Sequence, residues 1–273
     1  MMKKIKYGIC SWAFPVNGPH SCKIAAELGL EGIELDLGEY SRNFPLRNKT
    51  IQNAYKEERE KWGITFPSIA VNALTEFGMT NKKNTEKGKI ARSAIEIAID
   101  VAINMGIRGL QLPSFEDGEV RDEEDFENLL DILSYACDLT AGTDIVVASE
   151  NILSAEMNKR IFKELNRSNL KIYFDLQNYS LFRGFNTPNM IDELFEYIYE
   201  IHAKDGANGS MSGSLLGTGD AEFYKSAKKL KTHNYSGWIN LENYYDQYPL
   251  SLLESDPFVL LQKDLGILKS TFL

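Results

Sequence analysis

Eight times along this 273-residue chain, a short apolar run is followed by a longer amphipathic stretch. That alternation restricts the fold more than any single motif. The apolar runs fall at 5–14, 32–37, 64–71, 107–112, 144–150, 170–175, 200–204 and 237–242. The stretches between and after them, at 21–29, 49–62, 86–105, 122–139, 155–166, 187–199, 221–232 and 257–270, read as helices. A helix between two strands allows the second strand to return parallel to the first. Eight such units of roughly 34 residues come close to the ~250 residues of a (β/α)8 barrel. The expected fold is therefore a single α/β TIM barrel, one domain over residues 1–273. A doubly wound open sheet is the alternative. It should carry a glycine-rich turn after its first strand, and Cys10-Ser11-Trp12-Ala13-Phe14 contains no glycine.

Local signals sharpen the boundaries. In 86–105 the apolar residues Ile90, Ala94, Ile97, Ala98, Val101 and Ala102 keep helical spacing, and Gly106 follows as a stop. Pro113 is expected to end the fourth strand. The acidic start of 122–139 suits the positive end of a helix dipole. Thr187-Pro188 reads as an N-cap followed by proline in the first helical position. Residues 205–219, rich in Gly and Ser, read as a long loop.

Strands that stand parallel bring their C-terminal ends to one rim. Four residues able to bind a metal each close a short apolar stretch near that end: Glu150 after 144–149, Asp175 after 171–174, His202 after 199–201 and Glu242 after 238–241. Taken alone, each has an ordinary explanation, such as a solvated loop carboxylate or a hydrogen-bonded core histidine. Four on consecutive strands, at equivalent ends, point to a divalent-metal site built from oxygen and imidazole donors. Mn, Mg, Co and Zn all suit that mixture.

Bulk properties exclude other classes. Hydrophobic content of 43% and charged content of 25% are ordinary for a globular protein. The formal net charge is −9. Its short cationic runs, Lys82–Lys83 and Lys228–Lys229–Lys231, read as solvated helix or loop faces, so nucleic acid is not expected as a partner. No apolar run approaches the roughly 18 residues of a membrane span, and the stretch behind the basic Met1–Tyr7 is too short for a signal peptide. Cys10, Cys22 and Cys137 have no metal or disulfide spacing. The expectation is a soluble, cytoplasmic protein with reduced thiols.

Seven short segments, in order along essentially the whole chain, carry a resemblance. They are Gly8-Ile9-Cys10-Ser11-Trp12-Ala13-Phe14, Gly32-Ile33-Glu34-Leu35, Ser149-Glu150-Asn151, Phe174-Asp175-Leu176-Gln177-Asn178, His202-Ala203-Lys204-Asp205-Gly206, Leu216-Gly217-Thr218-Gly219-Asp220 and Asn240-Leu241-Glu242. The chain resembles the xylose isomerase-like sugar isomerase/epimerase superfamily, which includes D-tagatose 3-epimerase, hydroxypyruvate isomerase and inosose dehydratase. The resemblance implies one divalent metal ion held by Glu150, Asp175, His202 and Glu242, with Glu150 and Glu242 also moving the proton. No organic cofactor is then required. The chemistry implied is proton abstraction next to a carbonyl through an enediolate, on a small carbohydrate substrate. A homo-oligomer is also within what the resemblance implies, since members are often dimers or tetramers.

Substrate-binding candidates follow from the same motifs. Lys204 shares a strand side with His202 and is placed to meet a substrate oxygen, or to pair with Asp205 or Glu242. Trp12 and Phe14 would form an apolar wall, or be buried in the barrel mouth. Asn178 stands where family epimerases often have His, Asn208 where many have Arg, and Glu156 where Glu is common. Three further readings stay open: a polyol dehydratase or lyase on the same site, an AP endonuclease-like metal hydrolase, and an inactive sugar-binding barrel. The endonuclease reading is opposed by a chain with three histidines, His20, His202 and His233.

Overall fold

The computed structural model describes residues 4–273. Eight parallel strands close into a barrel in chain order: β1 (Lys6–Cys10), β2 (Gly32–Asp36), β3 (Ser68–Ala70), β4 (Gly109–Pro113), β5 (Val146–Glu150), β6 (Leu170–Asp175), β7 (Ile198–Ala203) and β8 (Trp238–Leu241). The ring closes by parallel pairing of β8 with β1, Asn240 opposite Gly8. Gly8 is required there. A Cβ on it would meet the Asn240 amide oxygen at 2.1 Å.

The helices are α1 (Ser21–Leu28), α2 (Lys49–Trp62), α3 (Glu86–Met105), α4 (Glu123–Leu139), α5 (Ala155–Leu165), α6 (Asn178–Arg183), α7 (Thr187–Leu194), α8 (Phe223–Thr232) and α9 (Pro257–Phe272). Their ends follow capping chemistry. The Thr85 side chain accepts from Gly88 N at the start of α3, and Gly106 takes φ 67° after its end. Asp122 caps α4 ahead of Glu123, Glu124 and Asp125. Among the described residues, no helix is long and apolar enough to cross a membrane.

Several boundaries differ from expectation, for local reasons. Residues 11–14 leave the first strand in a turn, with Ala13 N donating to Cys10 O. The third strand begins only at Ser68, because Pro67 has no N–H to offer the ladder. Pro113 is the last residue of β4 rather than its terminator. The cap of α7 is Asn186, whose side chain accepts from Asn189 N, so Thr187 is already helical. Helix α6, six residues long, was not expected at all. Within the basic N-terminal segment, residues 1–3 lie outside the described region.

By its contacts the chain groups into two compact units, divided within β2 and within β6. One spans residues 1–34, 58–65 and 174–273, the other 35–57 and 66–173. The first has a core of Ile9, Ile33, Ile201, Ile239 and Leu241, all fully buried. The second is built on Ile69, Leu110, Leu112, Val147 and Tyr173. Each such side chain contributes about 1.5–3 kcal/mol by leaving water. The three cysteines are free and buried.

Candidate active site

Period-two alternation explains how the site in the first unit is assembled. Along β7 and one step beyond it, Glu200, His202 and Lys204 share one side. Asp175 is the last residue of β6, Glu242 follows β8, and Cys10 and Glu34 come from β1 and β2. All are buried, and the charged members are nearly sealed: Glu34 is 0% exposed, Asp175 1%, Lys204 2% and Glu242 6%. Buried charges persist only when paired and hydrogen-bonded, and here each is.

His202 stands at the centre. Its Nε2 lies 2.7 Å from Glu34 Oε2. Its Nδ1 faces the other way, 3.3 Å from Glu242 Oε2 and 3.8 Å from Asp175 Oδ2. The Lys204 ammonium contacts the same two oxygens, 2.7 Å from Glu242 Oε2 and 3.0 Å from Asp175 Oδ2. The other oxygen of each carboxylate is held from behind. Asp175 Oδ1 accepts from Gln177 N (2.7 Å) and Asn178 N (2.6 Å). Glu242 Oε1 accepts from the Trp12 indole N–H at 2.9 Å. The Trp12 ring meets His202 edge-on, centroids 5.7 Å apart.

The two acids are electrostatically unlike. Burial pushes Asp175 up, and the Glu242 charge adds to this, against Lys204 and His202. Burial also pushes Glu242 up. Lys204, His202 and the Trp12 N–H outweigh it and hold Glu242 at about 2. Burial first, then the Glu242 carboxylate, raise the half-buried Tyr244 phenol to about 12. Burial likewise holds the Cys10 thiol well above its ordinary range, so it is a neutral weak donor, 3.4 Å from Glu34 Oε2.

A divalent cation fits this donor set. Oxygens of Glu242 and Asp175 lie 3.3 and 3.8 Å from His202 Nδ1, and both contact a cationic group, the Lys204 ammonium. In the second unit, Glu150 ends β5 and is buried, and the Gln111 amide of β4 donates to its Oε2.

The substrate-binding candidates are placed very differently. Lys204 pairs with Glu242 and Asp175 in the cluster. Trp12 is half-buried, with its N–H committed to Glu242. Asn178 is buried beside Asp175. Phe14 is buried against Phe258 of α9, the packing alternative raised for it. Glu156 is exposed in the first turn of α5, and Asn208 is exposed on the loop after β7. Of the other two histidines, His20 is exposed, and His233 pairs with Asp192 and stacks on Phe195.

Sequence reasoning did not single out Glu34, Gln111 or Asp205. Asp205 organises the loop after β7. Its Oδ1 accepts from Gly206 N (2.9 Å) and Ala221 N (3.1 Å), and its Oδ2 from Gly217 N (2.8 Å) and Gly219 N (3.1 Å). Gln177 joins the same loop, donating to Ser210 O and accepting from Ser212 N.

Asp264 of α9 ties the loop to β8 by accepting from Leu216 N (2.8 Å), Asn243 Nδ2 (2.7 Å) and Tyr245 OH (3.1 Å). Burial, opposed by these three donors, raises Asp264 to about 6. The folded state then binds a proton more tightly than the unfolded chain does. Stability should fall as pH rises from about 4 to about 6, by up to about 3 kcal/mol, and level off above that. Thermal melts of wild type and Asp264→Asn across this range check it. The variant should lose that part of the slope; identical slopes would refute the assignment.

A family model described as xylose isomerase-like TIM barrel matches residues 22–270. A 2-epi-5-epi-valiolone 7-phosphate 2-epimerase of Actinoplanes sp. is 25% identical over 227 residues, 83% of this chain and 82% of that protein. A Haemophilus influenzae protein provisionally named L-ribulose-5-phosphate 3-epimerase is 28% identical over 275 residues, 93% of each chain. Among solved structures, a 3-keto-D-glucoside 4-epimerase from E. coli superposes with a TM-score of 0.76 at 18% identity, covering 98% of this chain and 100% of that one.

Proposed function

This chain belongs to the xylose isomerase-like TIM barrel family, and from that premise we propose that it is a divalent-metal-dependent epimerase or isomerase of a sugar or sugar derivative. The observation that carries the reading is the convergence of His202 Nδ1 with oxygens of Asp175 and Glu242. Glu150, at the end of the strand before β6, completes the proposed ligand set. Both similar proteins with curated names are named for phosphorylated substrates. Sugar phosphates therefore lead the candidate substrates.

The ion supplies, when bound, electrostatic stabilisation of negative charge developing on a substrate oxygen. The protein's residues do the rest. Glu150 and Glu242 come from strands three apart in the ring and serve as the proton-moving pair, one removing a proton next to the carbonyl and the other returning one. Glu242 enters the reaction ionised. Trp12 fixes its orientation and Gln111 that of Glu150. Lys204 supplies positive charge beside the reacting oxygen. The endonuclease alternative would need more histidine ligands, whereas His20 is exposed and His233 pairs with Asp192.

Two measurements test this. Purified protein should hold about one Mn, Co, Mg or Zn per chain. Adding the preferred ion at about 100 times its Kd should stabilise the fold by about 2.7 kcal/mol, or about 5–10 °C in Tm. A D2O screen over ketoses, aldoses, inososes and their phosphates should then find a substrate that takes up deuterium. No metal and no thermal response to any of the four ions would overturn the reading. Loss of water from the product would move it to the dehydratase alternative.

A further inference from the structure

Deepening the metal-site reading, on which it rests, we infer that Glu34 is a positioning residue that fixes the tautomer of His202 and so aims its Nδ1 lone pair at the cation. A neutral imidazole carries one N–H, and which nitrogen holds it depends on the partners. Here the partners differ. Nε2 faces Glu34 Oε2 at 2.7 Å, a hydrogen-bond distance in a fully buried setting. Nδ1 faces two carboxylate oxygens at longer range, 3.3 and 3.8 Å. A carboxylate oxygen accepts, so the short contact places the proton on Nε2. Nδ1 is left with a lone pair on the side of Asp175 and Glu242, where a cation has two further oxygens to share.

Glu34 is itself held in place. It lies in the middle of β2, paired through Cys10↔Glu34 with β1. The Cys10 thiol donates to the same Oε2. The Ser11 N–H, donating to Glu34 O at 2.9 Å, pins the backbone at this point. Glu34 acts through His202, as outer carboxylates do for metal-bound histidines.

The test uses the full chain. In metal-free protein labelled with 15N-histidine, long-range 1H–15N correlation should show His202 protonated on Nε2. A proton on Nδ1 would overturn the proposal, whatever the metal result. Glu34→Gln keeps the shape but removes the charge. It should weaken Mn2+ affinity by about 10–100-fold by calorimetry and mix the two tautomers, while circular dichroism stays that of wild type. Affinity within about twofold of wild type and an unchanged tautomer would also overturn it. Failure of wild type itself to bind any of the four ions would instead sink the metal reading, and the tautomer would still decide the role of Glu34.

Discussion

Glu242→Gln is expected to slow proton exchange at the substrate carbon by about 10²–10⁴-fold, with the fold intact. The change is nearly isosteric. The remaining oxygen can still accept from the Trp12 indole, so the side chain keeps its orientation. What disappears is the charge that Lys204 pairs with and the group that takes or returns the proton. Glu150→Gln should show a loss of the same order, and the double variant little more than either single one, because the two act on one proton path. Deuterium uptake from D2O, followed by NMR on any sugar the wild type turns over, measures this directly. Full exchange in both single variants would reject the two-carboxylate mechanism. A higher KM with unchanged exchange would move Glu242 from chemistry to binding.

Asp205→Ala should be the most damaging change outside the reacting groups. It removes four acceptor contacts at once and leaves the amides of Gly206, Gly217, Gly219 and Ala221 without their carboxylate. Each buried donor left unpaired costs roughly 1–3 kcal/mol. Water will reach some of them, so the total is on the order of 4 kcal/mol. That corresponds to a fall in Tm of about 10 °C and a loop at 206–221 that is cut readily by protease. A Tm within about 2 °C of wild type and unchanged proteolysis would show that Asp205 does not hold the loop. Alanine cannot replace Gly219 while Asp205 is in place, because a Cβ there would lie 2.3 Å from Asp205 Oδ1.

What the sequence made legible follows from which signals are local. Strand–helix alternation is a nearest-neighbour pattern, so the order of eight units and the closed parallel barrel could be read from it. Asp175, His202 and Glu242 stand out as candidates because a polar residue at the edge of an apolar run breaks the pattern visibly. Glu34 breaks it too, but mid-strand, where a charge is meaningful only once the partner across the barrel is known. Gln111 is an uncharged amide in a short strand, and nothing local marks it as a support for Glu150. Asp205 left a trace in Gly206, Gly217 and Gly219, yet that spacing reads first as loop composition. Helix α6, at six residues, is too short to show a period. Glu156 and Asn208 rest on motif position alone, and both lie exposed.

Trp12 gives the site a built-in optical reporter. Its indole is bonded to one proposed ligand and rests against the imidazole of another, whereas Trp62 is bonded to Glu58 on α2 and Trp238 lies under Lys6. Any event that rearranges Glu242 or His202 changes the surroundings of this one fluorophore. Occupancy of the centre can thus be followed by intrinsic emission in the unlabelled protein, before any substrate has been identified.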